Sequence, residues 1–230
     1  MTSADPGLGG SGLLRFVLST TAGAIDVIGF LALGGLFTAH ITGNVVVLAA
    51  HYLTGGFSEL GPLLSVPVFI VVLGTVTLAS EAIENAGYGS RRPLLVLQAA
   101  LLAACLGFGV GFGPFADANS PMAVLVGMLG VAAMATQNAL VKLALPGAPS
   151  TAVMTTNVTQ LTVDLTTMLR GRPEDFASAR RRASATFPCV VGFIAGCAAG
   201  AILEVYGGLW ALTLPVVLAA LAVLLGWGEK

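Results

Sequence analysis

The chain has 230 residues, of which 56% are hydrophobic and 9% charged, and its formal net charge is −1. Soluble domains carry about 25% charged residues, so this composition, with a mean hydropathy of +0.93, excludes a soluble globular protein. The near-neutral balance offers no surface for nucleic acid or for an acidic partner. Runs such as "PLLVLQAALLAACLGFGVGF" (93 to 112) hold no charge and are long enough to cross a hydrocarbon core of about 30 Å as a helix. Several such runs make the chain a multi-pass, all-α integral membrane protein, read here as a single membrane domain over 1 to 230.

Residues 1 to 11 are polar and glycine-rich and are expected to be disordered. Their "GLGGSG" precedes a membrane helix instead of following a strand, which disqualifies it as a dinucleotide loop. Hydropathy then marks eight segments: 12 to 37, 38 to 55, 60 to 83, 91 to 112, 121 to 145, 150 to 169, 184 to 206 and 209 to 228. The first runs well past the length of a signal-peptide core, so it is expected to be retained as a span. Cys105, Cys189 and Cys197 lie inside apolar runs without CxxC spacing and read as packing residues. No metal site or cofactor is expected.

Segments 38 to 55 and 150 to 169 differ from the others. The second, "STAVMTTNVTQLTVDLTTML", carries seven threonines with Asn157, Gln160 and Asp164, too polar to face acyl chains, so shielding by other helices is expected. An internal repeat relates the two: "FLALGG" (30 to 35) aligns with "KLALPG" (142 to 147), and "HITGNVVVL" (40 to 48) with "VMTTNVTQL" (153 to 161). In this register Asp26 falls opposite Asn138, beside Gln137, while Thr42 matches Thr155 and Asn44 matches Asn157. The repeats span about 12 to 112 and 121 to 228.

Arginine placement sets the orientation of the halves, because cytoplasmic loops are enriched in Lys and Arg. The loop "RGRPEDFASARRR" (170 to 182) has five arginines and its counterpart "HYLTGGFSELGP" (51 to 62) none, whereas "YGSRRP" (88 to 93) has two and "VYGGLW" (205 to 210) none. The alternation requires inversion, and inversion requires an odd number of crossings per half. Six spans in a 3+3 inverted repeat, with re-entrant or broken helices around 38 to 53 and 150 to 167, place every basic cluster on the cytoplasmic side.

Paired interrupted segments in inverted halves point to a transport site near the midplane. Thr42, Asn44, Thr155 and Asn157 are residue types that cap helix N-termini, and two half-helix N-termini pointing inward favour an anion or the negative end of a solute. His40 and Asn44 share a helix face with His51, and Thr156, Gln160, Asp164 and Thr167 form a second polar stripe. Asp26, near the middle of its span, is a functional candidate by default; the competing expectation is a structural acid bonded to threonines or to Asn138. His40 divides evenly between proton carrier and interfacial residue. The threonines of 151 to 167 either line a path or bond back to their own helix carbonyls.

The stretch "AGAIDVIGFLALGGLFTAHITGN" (22 to 44), with "TQNALVKLAL" and "TTNVTQLTVDL", resembles the YoaK-type family of bacterial multi-pass membrane proteins, a domain of unknown function. The resemblance covers nearly the whole chain and implies a compact bacterial inner-membrane protein without a known substrate. "TTN" stands here where the second half would repeat "TGN".

The expected function is a small-solute transporter or channel, with an anion among the candidate solutes. Its site residues are Asp26, His40, Thr42, Asn44, Gln137, Asn138, Thr155, Asn157 and Gln160. Expected partners are the lipid bilayer, the solute and a homodimer partner or a helix of the same chain on the face of Gly192, Gly196 and Gly200. The alternatives are a non-transporting scaffold or sensor and, less favoured, an intramembrane enzyme. Only Asp26 and Asp164 could serve aspartyl chemistry, and no Ser-His pairing or HExxH appears.

Overall fold

Helix boundaries follow the chain's own punctuation. In the computed structural model, which describes residues 11–54 and 60–228, the first helix begins where Ser11 Oγ accepts from Leu14 N–H at 3.2 Å, an N-cap. The expected disorder of 1 to 11 falls almost wholly outside those residues. Helix α1 (Gly12–Ala32) is followed by α2 (Ile41–Thr54), α3 (Leu60–Asn85), α4 (Arg91–Phe112) and α5 (Pro121–Ala139). Ser120 and Pro121 open α5 as cap and first-turn proline. A wide π-helical turn, Leu140–Ala144, prolongs α5; then come α6 (Met154–Leu169), α7 (Pro173–Gly207), a 3-10 turn (Gly208–Leu212) and α8 (Thr213–Gly228). No strand occurs among the described residues.

Five helical stretches are long and apolar enough to cross a membrane: Gly12–Ala32, Leu60–Asn85, Arg91–Phe112, Pro121–Ala144 and Glu174–Trp227. The last is divided at Gly208, whose φ of +53° breaks α7 from α8 in a conformation that suits glycine. The protein is therefore an all-α membrane protein, as its composition requires. Helices α2 and α6, with 14 and 16 residues, are only about 21 and 24 Å long at 1.5 Å per residue. Each is entered through a non-helical stretch, 33 to 40 and 145 to 153.

Three expectations are corrected. The segment 12 to 37 stops being helical at Ala32, because the chain must turn through Gly34 and Gly35, both at positive φ. The stretch 170 to 182 is not a loop: apart from Arg170 to Arg172 it is the first part of α7, started by Pro173 with Glu174 and Asp175 in its first turn, which complement the positive end of a helix dipole. Finally, the threonine face of α6 is not shielded by other helices. Thr155, Thr156, Thr159, Thr162 and Thr166 are exposed, and Thr159, Thr162, Thr166 and Thr167 each donate to the carbonyl four residues back at 2.8–2.9 Å. That self-bonding is what makes a polar helix face tolerable in an apolar setting.

Lipid is as apolar as a leucine side chain, so helices in a membrane associate by close packing more than by a hydrophobic drive. The main packing of the fold, α1 on α7, shows the result. A Cβ at Gly192 would lie 2.6 Å from the Phe16 carbonyl oxygen, and one at Gly200 would lie 3.0 Å from the Ala24 Cα. Gly196 and Gly23 are closed by the opposing backbone in the same way. The glycine face is thus spent inside the fold, and a homodimer through it has no surface left to use.

The other packings pair off. Helix α1 meets α7 as α5 meets α3; α2 lies on α3 as α6 lies on α7; α4 packs on α5 as α8 packs on α1; and α4 meets α8. Exchanging α1 with α5, α2 with α6, α3 with α7 and α4 with α8 leaves this set unchanged. Between them lie two apolar clusters. One is centred on Ile25, Ile28, Leu36, Val126 and Met134, the other on Leu14, Leu18, Leu95, Leu140 and Leu145.

Candidate functional site

The polar residues singled out in the sequence gather where the two non-helical stretches meet the long helices. Asp26, on α1, is buried with 4% of its surface exposed. Its Oδ1 accepts from the backbone N–H groups of Thr38 at 2.8 Å, Ala39 at 2.7 Å and His40 at 3.4 Å, and its Oδ2 lies 2.7 Å from His40 Nδ1. Three successive amides that would otherwise be stranded at membrane depth are thus satisfied by one carboxylate. The expected partners of Asp26, threonine side chains or Asn138, are not its partners: Asn138 Nδ2 donates to the Met134 carbonyl at 2.8 Å, within its own helix.

Asn44 explains the "TGN". It lies inside α2, one turn from the start, and is fully buried. Its Oδ1 accepts from Phe37 N–H at 2.8 Å while its Nδ2 donates to the Phe37 carbonyl at 2.6 Å and to Ser65 Oγ on α3 at 2.8 Å. The side chain therefore clamps the incoming loop to the short helix and to its neighbour. Gly43 beside it leaves room for the Phe37 ring, which a Cβ there would approach to 3.0 Å, so that the ring would have to give by a few tenths of an ångström. In the second half Asn157 Nδ2 donates to the Ser150 carbonyl at 2.6 Å, again seven residues back. There Ser150 Oγ accepts from Ala152 N–H at 3.3 Å and Val153 N–H at 2.9 Å, the task that falls to Asp26 in the first half.

The capping roles expected of Thr42, Asn44, Thr155 and Asn157 are corrected accordingly. The helices begin at Ile41 and Met154, so all four residues sit inside them. Thr42 and Thr155 point outward and the two asparagines reach back to the loops. His40 falls just before α2, so it shares no helix face with Asn44 and His51. Gln160 donates to Asp164 Oδ2 at 3.0 Å, and Asp164 Oδ1 is held by Arg182 Nε at 2.9 Å and Nη2 at 2.6 Å. This stripe of α6 ties it to α7.

Gln137 forms the junction between the halves. Its Nε2 donates to the Leu18 carbonyl of α1 at 3.0 Å and to Thr151 Oγ1 at 2.8 Å, and its Oε1 accepts from Gln98 Nε2 of α4 at 2.6 Å. Both glutamines are completely buried. Gln98 was open to detection, because it is the single amide in the otherwise apolar run 93 to 112. Ser65 carried no such signal: serine is common in membrane helices, and its role depends on a contact the sequence does not announce, whereas Ser150 already stood among the polar residues that set segment 150 to 169 apart.

Two clefts flank these loops. One, of about 300 Å³, is lined by Asp26, Phe30, Phe37, His40 and Phe193. The other consists of adjoining hollows of about 400 and 340 Å³ that share Gly147, Ala148 and Ser150; Asn138 and Lys142 line the first, Gln160 and Arg182 the second. In the repeat register Asn138, Lys142 and Ser150 stand where Asp26, Phe30 and Phe37 stand. One cleft is acidic and aromatic, the other polar and basic.

The clamp makes an unequal prediction for its two copies. Asn44→Ala removes three hydrogen bonds and strands Phe37 N–H and C=O, a loss of about 3 kcal/mol. This lowers the thermal midpoint by about 6–12 °C on the usual scale for chains of this size. Asn157→Ala removes one strong bond and costs about 1 kcal/mol. Thermal unfolding in one detergent checks this; equal shifts for the two variants would contradict the bonding described.

Comparison with known proteins places these features in context. The family described as "Protein of unknown function (DUF1275)" matches residues 14–225. The UPF0700 transmembrane protein YoaK of Bacillus subtilis (strain 168) is 31% identical over 156 residues, which is 66% of this chain and 66% of that protein. No solved structure matches the chain.

Proposed function

The chain belongs to the DUF1275 family, and from that premise, with its transmembrane relative, we propose that it moves a small polar solute across a bacterial cytoplasmic membrane without transforming it. Counting α7 and α8 separately, six spans are arranged as a 3+3 inverted repeat, and α2 and α6 are re-entrant. The observation that carries this reading is the pair of clefts at matched repeat positions, each beside a loop held by its own asparagine clamp. Under inversion the two clefts open toward opposite sides. Between them stands the buried Gln98–Gln137–Thr151 junction. The exchange symmetry of the helix packings supports the repeat.

Alternating access in this arrangement consists of rocking one half against the other, with the junction made in one state and remade in the next. The amides of residues 38 to 40, just before α2, are already occupied by Asp26 and offer nothing to an anion. Anion affinity belongs to the second cleft, where Lys142 and Arg182 stand.

Proteoliposomes loaded in turn with organic cations, organic anions and neutral metabolites test the proposal. The expected result is saturable counterflow of one class, slowed at least tenfold by Gln137→Leu in protein that still elutes as a folded species. If folded protein exchanges none of the three classes, transport is refuted and a membrane scaffold takes its place.

A further inference from the structure

The first cleft has a composition that selects its ligand. Around a carboxylate stand four rings: Phe30 and Phe37 with centroids 5.0 Å apart, Phe37 and His40 at 6.3 Å, and His40 and Phe193 at 5.3 Å. The volume of about 300 Å³ lies at the small end of ligand sites. Among the described residues no lysine or arginine lines it. Asp26 Oδ1 accepts three backbone bonds, but Oδ2 has a single partner, His40 Nδ1, and a carboxylate oxygen has two lone pairs to offer.

We infer that this cleft binds a small organic ammonium ion, with Asp26 Oδ2 as its counter-charge and Phe30, Phe37 and Phe193 as its walls. Aromatic rings attract a cation through their quadrupole, most strongly where water is excluded. An anion is repelled by Asp26. A bare metal ion needs several ligands; Asp26, His40 and Cys197 line the cleft, but no group of three or more His, Cys, Asp or Glu placed to hold a metal occurs among the described residues. A purely apolar ligand would leave the second lone pair of Oδ2, the one His40 Nδ1 does not use, facing hydrocarbon. An alkylated ammonium answers both the charge and the apolar walls.

The inference deepens the transport reading by naming a solute class for one of its clefts, yet it is tested by binding and not by flux. The full chain is placed in nanodiscs of phosphatidylglycerol and titrated calorimetrically with tetramethylammonium chloride. Sodium chloride of equal concentration and tert-butanol serve as controls for charge and for shape. The expected result is saturable binding of tetramethylammonium alone, weakened about tenfold by Phe30→Leu and by Phe193→Leu, each of which keeps an apolar side chain and an unchanged unfolding profile. No saturable binding, equal binding of tert-butanol, or full affinity in both variants would overturn it.

A parallel titration in phosphatidylethanolamine nanodiscs separates two sources of the same chemistry. Loss of tetramethylammonium binding there identifies a lipid headgroup as the natural occupant, and unchanged binding identifies a soluble ammonium; either supports the site. Binding without counterflow retains this inference and removes transport, whereas counterflow of another class without ammonium binding does the reverse.

Discussion

Asp26→Ala is expected to lower the thermal midpoint of the purified protein by more than about 10 °C. The carboxylate satisfies the Thr38 and Ala39 amides and meets His40 Nδ1, all within 2.8 Å, with a longer bond from His40 N–H. Hydrogen bonds to an ionised group contribute about 1.5–3 kcal/mol each, so removing the three short ones costs about 5 kcal/mol, and a chain of this size loses about 2–4 °C per kcal/mol. Asp26→Asn separates geometry from charge. An asparagine Oδ1 still accepts the two short backbone bonds, and its amide can donate to the other tautomer of His40, so the cost falls to about 1–2 kcal/mol. If the alanine variant unfolds at the wild-type temperature but abolishes counterflow or ammonium binding, Asp26 is a ligand site alone and the pinning of residues 38–40 is energetically idle.

Gly196→Leu is expected to abolish the monodisperse folded species on size-exclusion chromatography. A Cβ at Gly196 would meet the Thr20 carbonyl oxygen and would lie 3.0 Å from the Ala24 nitrogen. These are backbone atoms of a buried helix and cannot swing aside as a side chain would. Even Gly196→Ala prises α1 from α7 and costs about 3 kcal/mol, the upper part of the range for overpacked cores. The matched controls are Gly74 and Gly107, where a Cβ meets nothing within 4 Å. Alanine at either site removes a helix-interior glycine and stabilises by about 0.5–1 kcal/mol. A Gly196→Ala variant as stable as Gly74→Ala would show that α1 and α7 are not packed backbone to backbone.

The contrast between these glycines shows what the sequence could convey. The spacing of Gly192, Gly196 and Gly200 announces a close-packing face, but spacing cannot name the partner; only the three-dimensional pairing shows that α1 fills it. Spans were legible because an uncharged run of 20 residues has few alternatives, and 91 to 112 is recovered to the residue. The start of α7 was missed because five arginines read as a solvated loop, although Pro173 with two acids after it is a helix start in any setting. Asp26 was recognisable as costly, and the repeat matched it with Asn138. That it bonds to backbone amides was not, since a main-chain donor leaves no mark on residue identity. Asn44 and Asn157 were found by the alignment of the halves, but their action as clamps seven residues back requires a loop geometry that begins only after Gly34 and Gly35.

The enclosure of α1 bears on how the protein is made. Arg15, Thr20, Thr21 and Asp26 are all buried in it, and the helices that enclose it are chiefly α7 and α8, which follow it in the chain. Released alone into lipid, α1 would expose a charge that costs about 2.5–3.5 kcal/mol at the bilayer centre. The shelter that α1 needs is therefore completed only when residues 173 to 207, made after it, have entered the membrane.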